Sequence, residues 1–284
     1  MKVLVFGKTG QVARALIEAG PTVGMQITAL GRDAADLTNP AACAAIIAAS
    51  DCDAVINAAA YTAVDAAETD EATARMINAD APAAMAQACA AKGIPFVHVS
   101  TDYVFDGTEG KPWQPDDPAG PLGAYGRTKL AGEEGVAAAG GTFAILRTAW
   151  VFDAAGKNFV TTMLRLSETR DALCVVGDQF GGPTPATAIA DACLLIAKTL
   201  AKDPSASGTY HFSGAPDVSW ADFARAIFNI AGRDVKITDI PTADYPTPAK
   251  RPSNSRLDCS STKSTFGITQ PDWHTALAKM LTQA

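Results

Sequence analysis

One stretch near the N-terminus, "KVLVFGKTGQVARALIEAG" (residues 2–20), limits the fold more than any other. Lys2 to Phe6 is a short apolar run with β-branched residues, and it stops at Gly7. From Gln11 the pattern turns helix-like. A strand that passes through a glycine turn straight into a helix opens a parallel β–α unit, because parallel strands are joined by crossovers rather than hairpins. The alternation continues. "QITAL" (26–30), "DAVIN" (53–57), "PFVHVS" (95–100) and "TFAILRTAW" (142–150) read as strands. Residues 71–92 and 122–139 read as helices, and "NPAACAAIIAAS" offers Asn39 as a cap with Pro40 at the first helical position. The expected fold class is α/β, a Rossmann-type doubly wound parallel sheet with helices on both faces.

The second half is more mixed. "ALCVVG" (172–177) and "GTYHFSG" (208–214) read as short strands, and 186–201, 219–232 and 272–283 as helices. "PTADYPTPAKRPSNSRLD" (241–258) holds four prolines and reads as a long loop, which in a compact domain is commonly functional. The division expected is a sheet domain over 1–150 and a smaller lobe over 151–284, with later segments returning to the sheet.

Bulk properties set outer limits. The chain has 284 residues, 48% apolar and 19% charged, enough for an ample core. A net charge of −7 with no basic block speaks against a nucleic-acid partner. "MKVLVFGKTG" does not read as a signal peptide, and no apolar run approaches the roughly 18 residues of a membrane span. The six cysteines are widely spaced, with no CxxC pair, so reduced thiols in the cytoplasm are expected. His98, His211 and His274 lie far apart, and no metal is expected.

Three short patterns carry chemistry. "GKTGQVA" (7–13) has the form GxxGxxA. Gly7 allows a tight turn, Gly10 lets a pyrophosphate approach the N–H groups that open the helix, and Ala13 permits close helix–strand packing. "HVSTDYVFDG" (98–107) leaves a strand with Ser100 and Thr101 at the C-terminal edge of the sheet, where open α/β sheets bind ligands. "YGRTK" (125–129) places Tyr125 and Lys129 four apart, on one helix face. An ammonium beside a phenol favours the phenolate, and moving a phenol from about 10 to about 7 corresponds to roughly 4 kcal/mol. Each pattern also occurs in proteins where it does nothing of the kind. "LGRDAADL" (30–37) puts Arg32, rather than a carboxylate, where an adenosine ribose would end, with Asp33 and Asp36 following.

GxxGxxA, a strand-end hydroxyl and a later YxxxK together resemble the extended short-chain dehydrogenase/reductase superfamily. "FGKTGQVA", "NAAAYTAVDAAE", "STDYVFDG", "YGRTKLAGE", "RTAWVF", "GDQFGGPT" and "TPAKRPSNSRLD" follow in order and resemble the dTDP-4-dehydrorhamnose reductase family from Val3 to about Trp273. The resemblance implies reduction of the C4 ketone of dTDP-4-dehydro-L-rhamnose with NADPH, NADH also being accepted. It makes Thr101, Tyr125 and Lys129 the catalytic group. Tyr125 would protonate the ketone oxygen. Lys129 would lower the tyrosine pKa and hold the nicotinamide ribose, and Thr101 would bind the same oxygen. It places the cofactor on Gly7, Thr9, Gly10, Gln11, Val12, Arg32, Asp36, Leu37, Ala58, Ala59 and Ala60, besides Tyr125 and Lys129. It places the substrate on Thr101, Asp102, Tyr103, Val104, Phe105, Trp150, Gln179, Phe180, Arg251 and Ser255, with Arg251 on the diphosphate. A homodimer is compatible with it, although nothing in the sequence fixes the oligomeric state.

Two neighbouring activities and one non-catalytic role set the contrast. Dehydratases of the superfamily carry Thr-Asp-Glu at the catalytic strand end. Here the third residue is Tyr103, so the eliminating carboxylate is missing. Epimerases share Tyr and Lys and stay open on the triad alone, as does action on another 4-keto sugar. A reductase-like regulatory subunit would tolerate a decayed triad, whereas all three positions are intact here.

Overall fold

The computed structural model describes residues 1–108 and 110–283. The apolar runs of the first half become β1 (Lys2–Phe6), β2 (Gln26–Leu30), β3 (Ala54–Asn57), β4 (Phe96–Thr101) and β5 (Phe143–Thr148). A sixth strand, Gly208–His211, returns from the second half and pairs with β5. All pairings in this sheet are parallel, in the order β2-β1-β3-β4-β5-(208–211). Chain direction across the sheet therefore reverses between β1 and β3. A ligand crevice is expected above that point, outside the carboxyl ends of the strands.

The helices that follow the strands are α1 (Gln11–Thr22), α2 (Pro40–Ala49), α3 (Val64–Ala67), α4 (Glu71–Arg75), α5 (Ala81–Lys92) and α6 (Ala124–Ala138). On one face α1 packs with the later helix Ala186–Leu200 over Val3, Val5, Ile56 and Leu146. On the other, α2, α5 and α6 cover Leu4, Phe6, Val55, Phe96 and Ile145. Successive residues of β1 thus serve opposite cores, as alternation along a doubly covered strand requires. Asn39 caps α2 as its sequence suggests, its side chain accepting from the Ala42 N–H at 3.1 Å.

Residues 71–92 are not one helix. A five-residue π turn, Met76–Asp80, separates α4 from α5. The cause is Pro82. It has no N–H to give the carbonyl four residues back, that of Asn78. Gly132 of α6 takes advantage of the opening. A Cβ on Gly132 would stand 2.0 Å from the Asn78 oxygen, so only glycine lets α6 approach this closely. The 241–258 segment is also less irregular than expected, holding a 3-10 turn at Thr242–Asp244 and a short strand at Asn254–Ser255.

A separate apolar cluster lies in the second half. Phe152, Val160, Leu173, Phe223, Ile227 and Trp273 pack together, away from the sheet. This body carries a parallel pair, Ala172–Val176 with Lys236–Ile240, and stands beside the carboxyl ends of the main strands. Among the described residues, no helix is long and apolar enough to cross a membrane.

Candidate active site

The turn after β1 has a backbone that demands glycine. Gly7 has φ +119°, and a Cβ there would press at 3.3 Å on Ala13 and on the Ala58 backbone. Gly10 then caps α1 in extended conformation with no side-chain partner, and a Cβ on it would meet nothing within 4 Å. The unpaired N–H groups of the first turn of α1 therefore open into space, with the positive end of the helix dipole behind them. That space is a cleft of about 490 Å³ lined by Thr9, Gly10, Gln11 and Val12, by Ala58–Ala60 beyond β3, and by Thr101, Asp102, Tyr103, Tyr125, Lys129 and Trp150. Glycine turn, alanine floor and Tyr/Lys pair, far apart in the chain, meet in one crevice above the switch point. The bare helix start and the glycine cradle fit a dinucleotide.

Close packing brings Tyr125 to Thr101. A Cβ on Gly126 would stand 2.1 Å from the Tyr103 carbonyl oxygen, so the start of α6 lies directly on the end of β4. The Ala124 N–H at that start donates to Glu68 at 2.8 Å. Tyr125 meets Tyr103 edge-on at 5.6 Å. The Thr101 hydroxyl donates to Asp102 at 3.0 Å and accepts from the Tyr103 N–H at 3.2 Å. Thr148 Oγ1, buried in the same wall, has no hydrogen-bond partner and stands ready for a ligand.

The electrostatics correct one expectation. The Tyr125 phenol is raised, rather than lowered, in the free protein. Burial pushes that phenol up to about 12, with the nearby Asp102 charge adding to the rise and the Thr101 hydroxyl opposing it. The Lys129 ammonium is engaged elsewhere, donating to the Val99 carbonyl at 2.8 Å and lying 3.1 Å from His98 Nε2. Burial pulls Lys129 down to about 8, against the attraction of Glu133. Burial also raises Asp102 to about 6, with Ser255 and Thr101 hydroxyls opposing.

Comparison with known proteins follows the same line. The family model described as "RmlD substrate binding domain" matches residues 1–284. A protein of Sinorhizobium fredii named dTDP-4-dehydrorhamnose reductase is 44% identical over 288 residues, covering 99% of this chain and 97% of its own. The chain belongs to the dTDP-4-dehydrorhamnose reductase family. A solved reductase of that name from Clostridium acetobutylicum superposes with a TM-score of 0.93 at 36% identity, covering 100% of this chain and 99% of its own. One from Bacillus anthracis, solved in complex with NADP, has a TM-score of 0.92 at 30% identity, with 100% and 99% covered.

Within this family frame, several expected residues stand outside the cleft. Leu37 is buried in the core under α2, and Asp36 turns to accept from the Thr38 N–H at 3.0 Å. Arg32 extends into solvent, its side chain 78% exposed and 3.5 Å from Asp36. Asp33 is exposed, its Oδ1 beside Gly31. Val104 and Phe105 are fully buried, and Phe105 stacks on Trp113 at 4.5 Å, so they anchor the strand end rather than line the cleft. Gln179 is buried against Thr242, and Phe180 is exposed. Ser255 is buried beside Asp102. Arg251 forms a fork with Asp65 of α3, at 2.6 and 2.9 Å, that fastens the proline-rich segment next to Tyr103. Ser100, paired with Thr101 in the sequence reading, instead donates to Glu133 at 2.5 Å, within a buried pair that Glu133 makes with Arg147 at 2.7 Å.

Trp150, expected against the substrate, does line the cleft, and other residues take places that the sequence does not show. Trp150 holds φ 50°, the one non-glycine positive φ among the described residues, and stacks on Trp220 at 3.5 Å. Such backbone strain in a cleft wall is typical of functional positions. Asn78, in the π turn, bonds both the Tyr61 N–H at 2.8 Å and Thr128 of α6 at 3.1 Å, fixing the loop after β3. The segment 153–158 crosses the start of α1, where Arg14 binds Asp153 at 2.8 Å and Asn158 binds Gln11 at 3.0 Å. Only the Asp-Ala-Ala-Gly turn signalled it in the sequence.

Proposed function

We propose that the chain reduces the C4 ketone of dTDP-4-dehydro-L-rhamnose to give dTDP-L-rhamnose, with NADPH as preferred reductant and NADH also used. The carrying observation is that Thr101, Tyr125 and Lys129 line the same cleft as the bare N-terminus of α1, in a chain of this family. Residues around the glycine turn, Thr9 to Val12, would hold the diphosphate of the cofactor, and the alanines 58–60 its flat floor. When bound, the reduced nicotinamide supplies the hydride. Tyr125, un-ionised far above neutral pH in the free protein, gives its proton to the ketone oxygen, and Thr101 orients that oxygen. Trp150 and Trp220 stack as one wall for the sugar. Arg251 reaches the substrate diphosphate only if it shares its fork with Asp65 or leaves it.

The preference for NADPH rests on Arg32 and on the lack of a carboxylate at positions 30–32. Exposure of Arg32 and the carboxylate of the adjacent Asp33 keep that preference small, about tenfold at most. All six cysteines are free, in keeping with a reducing cytoplasm as the proposed compartment. The test is turnover of each reduced cofactor by the purified chain, with and without the keto sugar. Sugar-dependent oxidation of NADPH, faster than of NADH, supports the reading. Absence of sugar-dependent oxidation rejects it.

A further inference from the structure

Behind Lys129 lies a buried chain of hydrogen bonds that the reaction above does not use. Asn57, at the end of β3, accepts from the Ala59 N–H at its Oδ1, 3.1 Å away. Its amide nitrogen therefore faces His98 Nδ1, at 3.1 Å, and donates to it. Burial and the nearby Lys129 charge both keep the His98 imidazole neutral, so it carries one proton. With Nδ1 accepting, that proton belongs on Nε2. Nε2 lies 3.1 Å from Lys129 Nζ, which donates to the Val99 carbonyl at 2.8 Å.

An N–H on Nε2 needs a lone pair opposite it, and among the two forms of lysine only the neutral amine has one. The ammonium would set two donors face to face at 3.1 Å between two buried side chains. Turning the Asn57 amide over moves the conflict to the Ala59 N–H without removing it. The arrangement is complementary to the amine.

We propose that His98, oriented by Asn57, is a positioning residue that donates to Lys129 and favours its amine form, so that the ammonium readily yields its proton toward Tyr125 after Tyr125 has protonated the substrate. The proposal rests on the reading of Tyr125 as the acid. In that transfer an ammonium N–H bond breaks and the phenol O–H bond is restored. The electron pair left on Nζ then accepts from His98 Nε2. The other groups around Lys129 do not replace this role. On α6, Glu133 pulls Lys129 toward the ammonium but is itself paired with Arg147. Tyr125, Asp102 and Tyr103 line the same cleft.

His211 provides an internal contrast. Its Nδ1 faces the Trp113 carbonyl at 3.0 Å and can only donate there, while its Nε2 faces Arg147 at 3.3 Å and must accept. The two buried histidines are thus expected in opposite tautomers.

The experiment is nitrogen-detected NMR of the full chain labelled in the histidine rings, without cofactor or substrate, titrated across the Lys129 ionisation. His98→Gln and Lys129→Met assign the signals. Above the ionisation, His98 should carry its proton on Nε2 and His211 on Nδ1. As pH falls, of the two buried histidines only His98 should change its signals, with the midpoint of the Lys129 side-chain signal, and Lys129→Met should abolish the change. A His98 proton on Nδ1 throughout, or a response that persists in Lys129→Met, overturns the proposal. Because no turnover enters, failure here is distinct from failure of the ketone-reduction reading. A second measurement, the pH profile of kcat with NADPH and keto sugar, separates positioning from packing. His98→Gln keeps a donor at the Nε2 position and should retain the wild-type profile, whereas His98→Leu should lose about tenfold in kcat with KM unchanged. Equal profiles and rates in both variants would also overturn it.

Discussion

Replacing Tyr125 by Phe isolates the proton donor from everything else in the cleft. The ring meets Tyr103 by its edge at 5.6 Å, and Phe preserves that contact. What is lost is one hydroxyl, held beside Thr101 and buried enough that its pKa lies near 12. A single neutral hydrogen bond is worth about 1 kcal/mol net, and removing a buried hydroxyl returns part of its desolvation cost, so stability should change by no more than about 1 kcal/mol. The N-terminus of α1 and the floor at 58–60 are untouched, so the cofactor dissociation constant should stay within about twofold. The rate should not survive. General acid catalysis contributes about 100- to 10,000-fold, or roughly 3 to 5 kcal/mol of barrier. The assay is single-turnover oxidation of NADPH at saturating keto sugar, with cofactor affinity measured separately by fluorescence. A variant within a few-fold of the wild-type rate would remove Tyr125 from the chemistry, and a large loss of cofactor affinity would make its role structural.

Two further outcomes follow from particular contacts. Arg251→Ala should raise the KM for the nucleotide sugar about tenfold and leave that for NADPH alone, since the lost fork both frees the proline-rich segment from Asp65 and removes a charge-assisted contact. An unchanged substrate KM would confine Arg251 to its pairing with Asp65. Asp102 is raised from 3.8 to about 6 by burial, so the folded chain holds its proton more tightly than the unfolded chain. The stability this group contributes is complete below about pH 4 and is lost as pH rises through about 6. Asp102→Asn should therefore raise stability at pH 7 by up to about 3 kcal/mol relative to wild type and by much less near pH 4, as denaturant titrations at the two values will read. Equal gains at both would mean that Asp102 is not the group titrating.

How far the sequence discloses this molecule depends on whether a residue acts through local pattern or through distant packing. β1, its glycine turn and α1 are legible because strand period, turn and cap follow each other within twenty residues, roughly one β–α unit. Tyr125 and Lys129 are legible because a helix fixes their spacing. The π turn at Met76–Asp80 is hidden, since Pro82 only removes a donor and it is Gly132 of a distant helix that packs on the freed Asn78 carbonyl. Lys129's partners in the free protein, His98 and Val99, sit on a strand some thirty residues away, which helix spacing alone does not disclose. Val104 and Phe105 share a motif with Thr101, yet their side chains serve the core, because a 3-10 turn at Asp102–Val104 redirects the chain. The resemblance puts Arg251 on the diphosphate, and only the fold shows Asp65 placed against it.

The central claim is that hydride passes to C4 of the nucleotide sugar in this cleft. Its most direct test uses NADPH carrying deuterium at the transferable position of the nicotinamide, with dTDP-4-dehydro-L-rhamnose and the purified chain, and product examined by NMR. The account predicts one deuterium at C4 of the sugar, in a single configuration, and a product that chromatographs as dTDP-L-rhamnose. Product formed without deuterium at C4, or label at another sugar carbon, would contradict it.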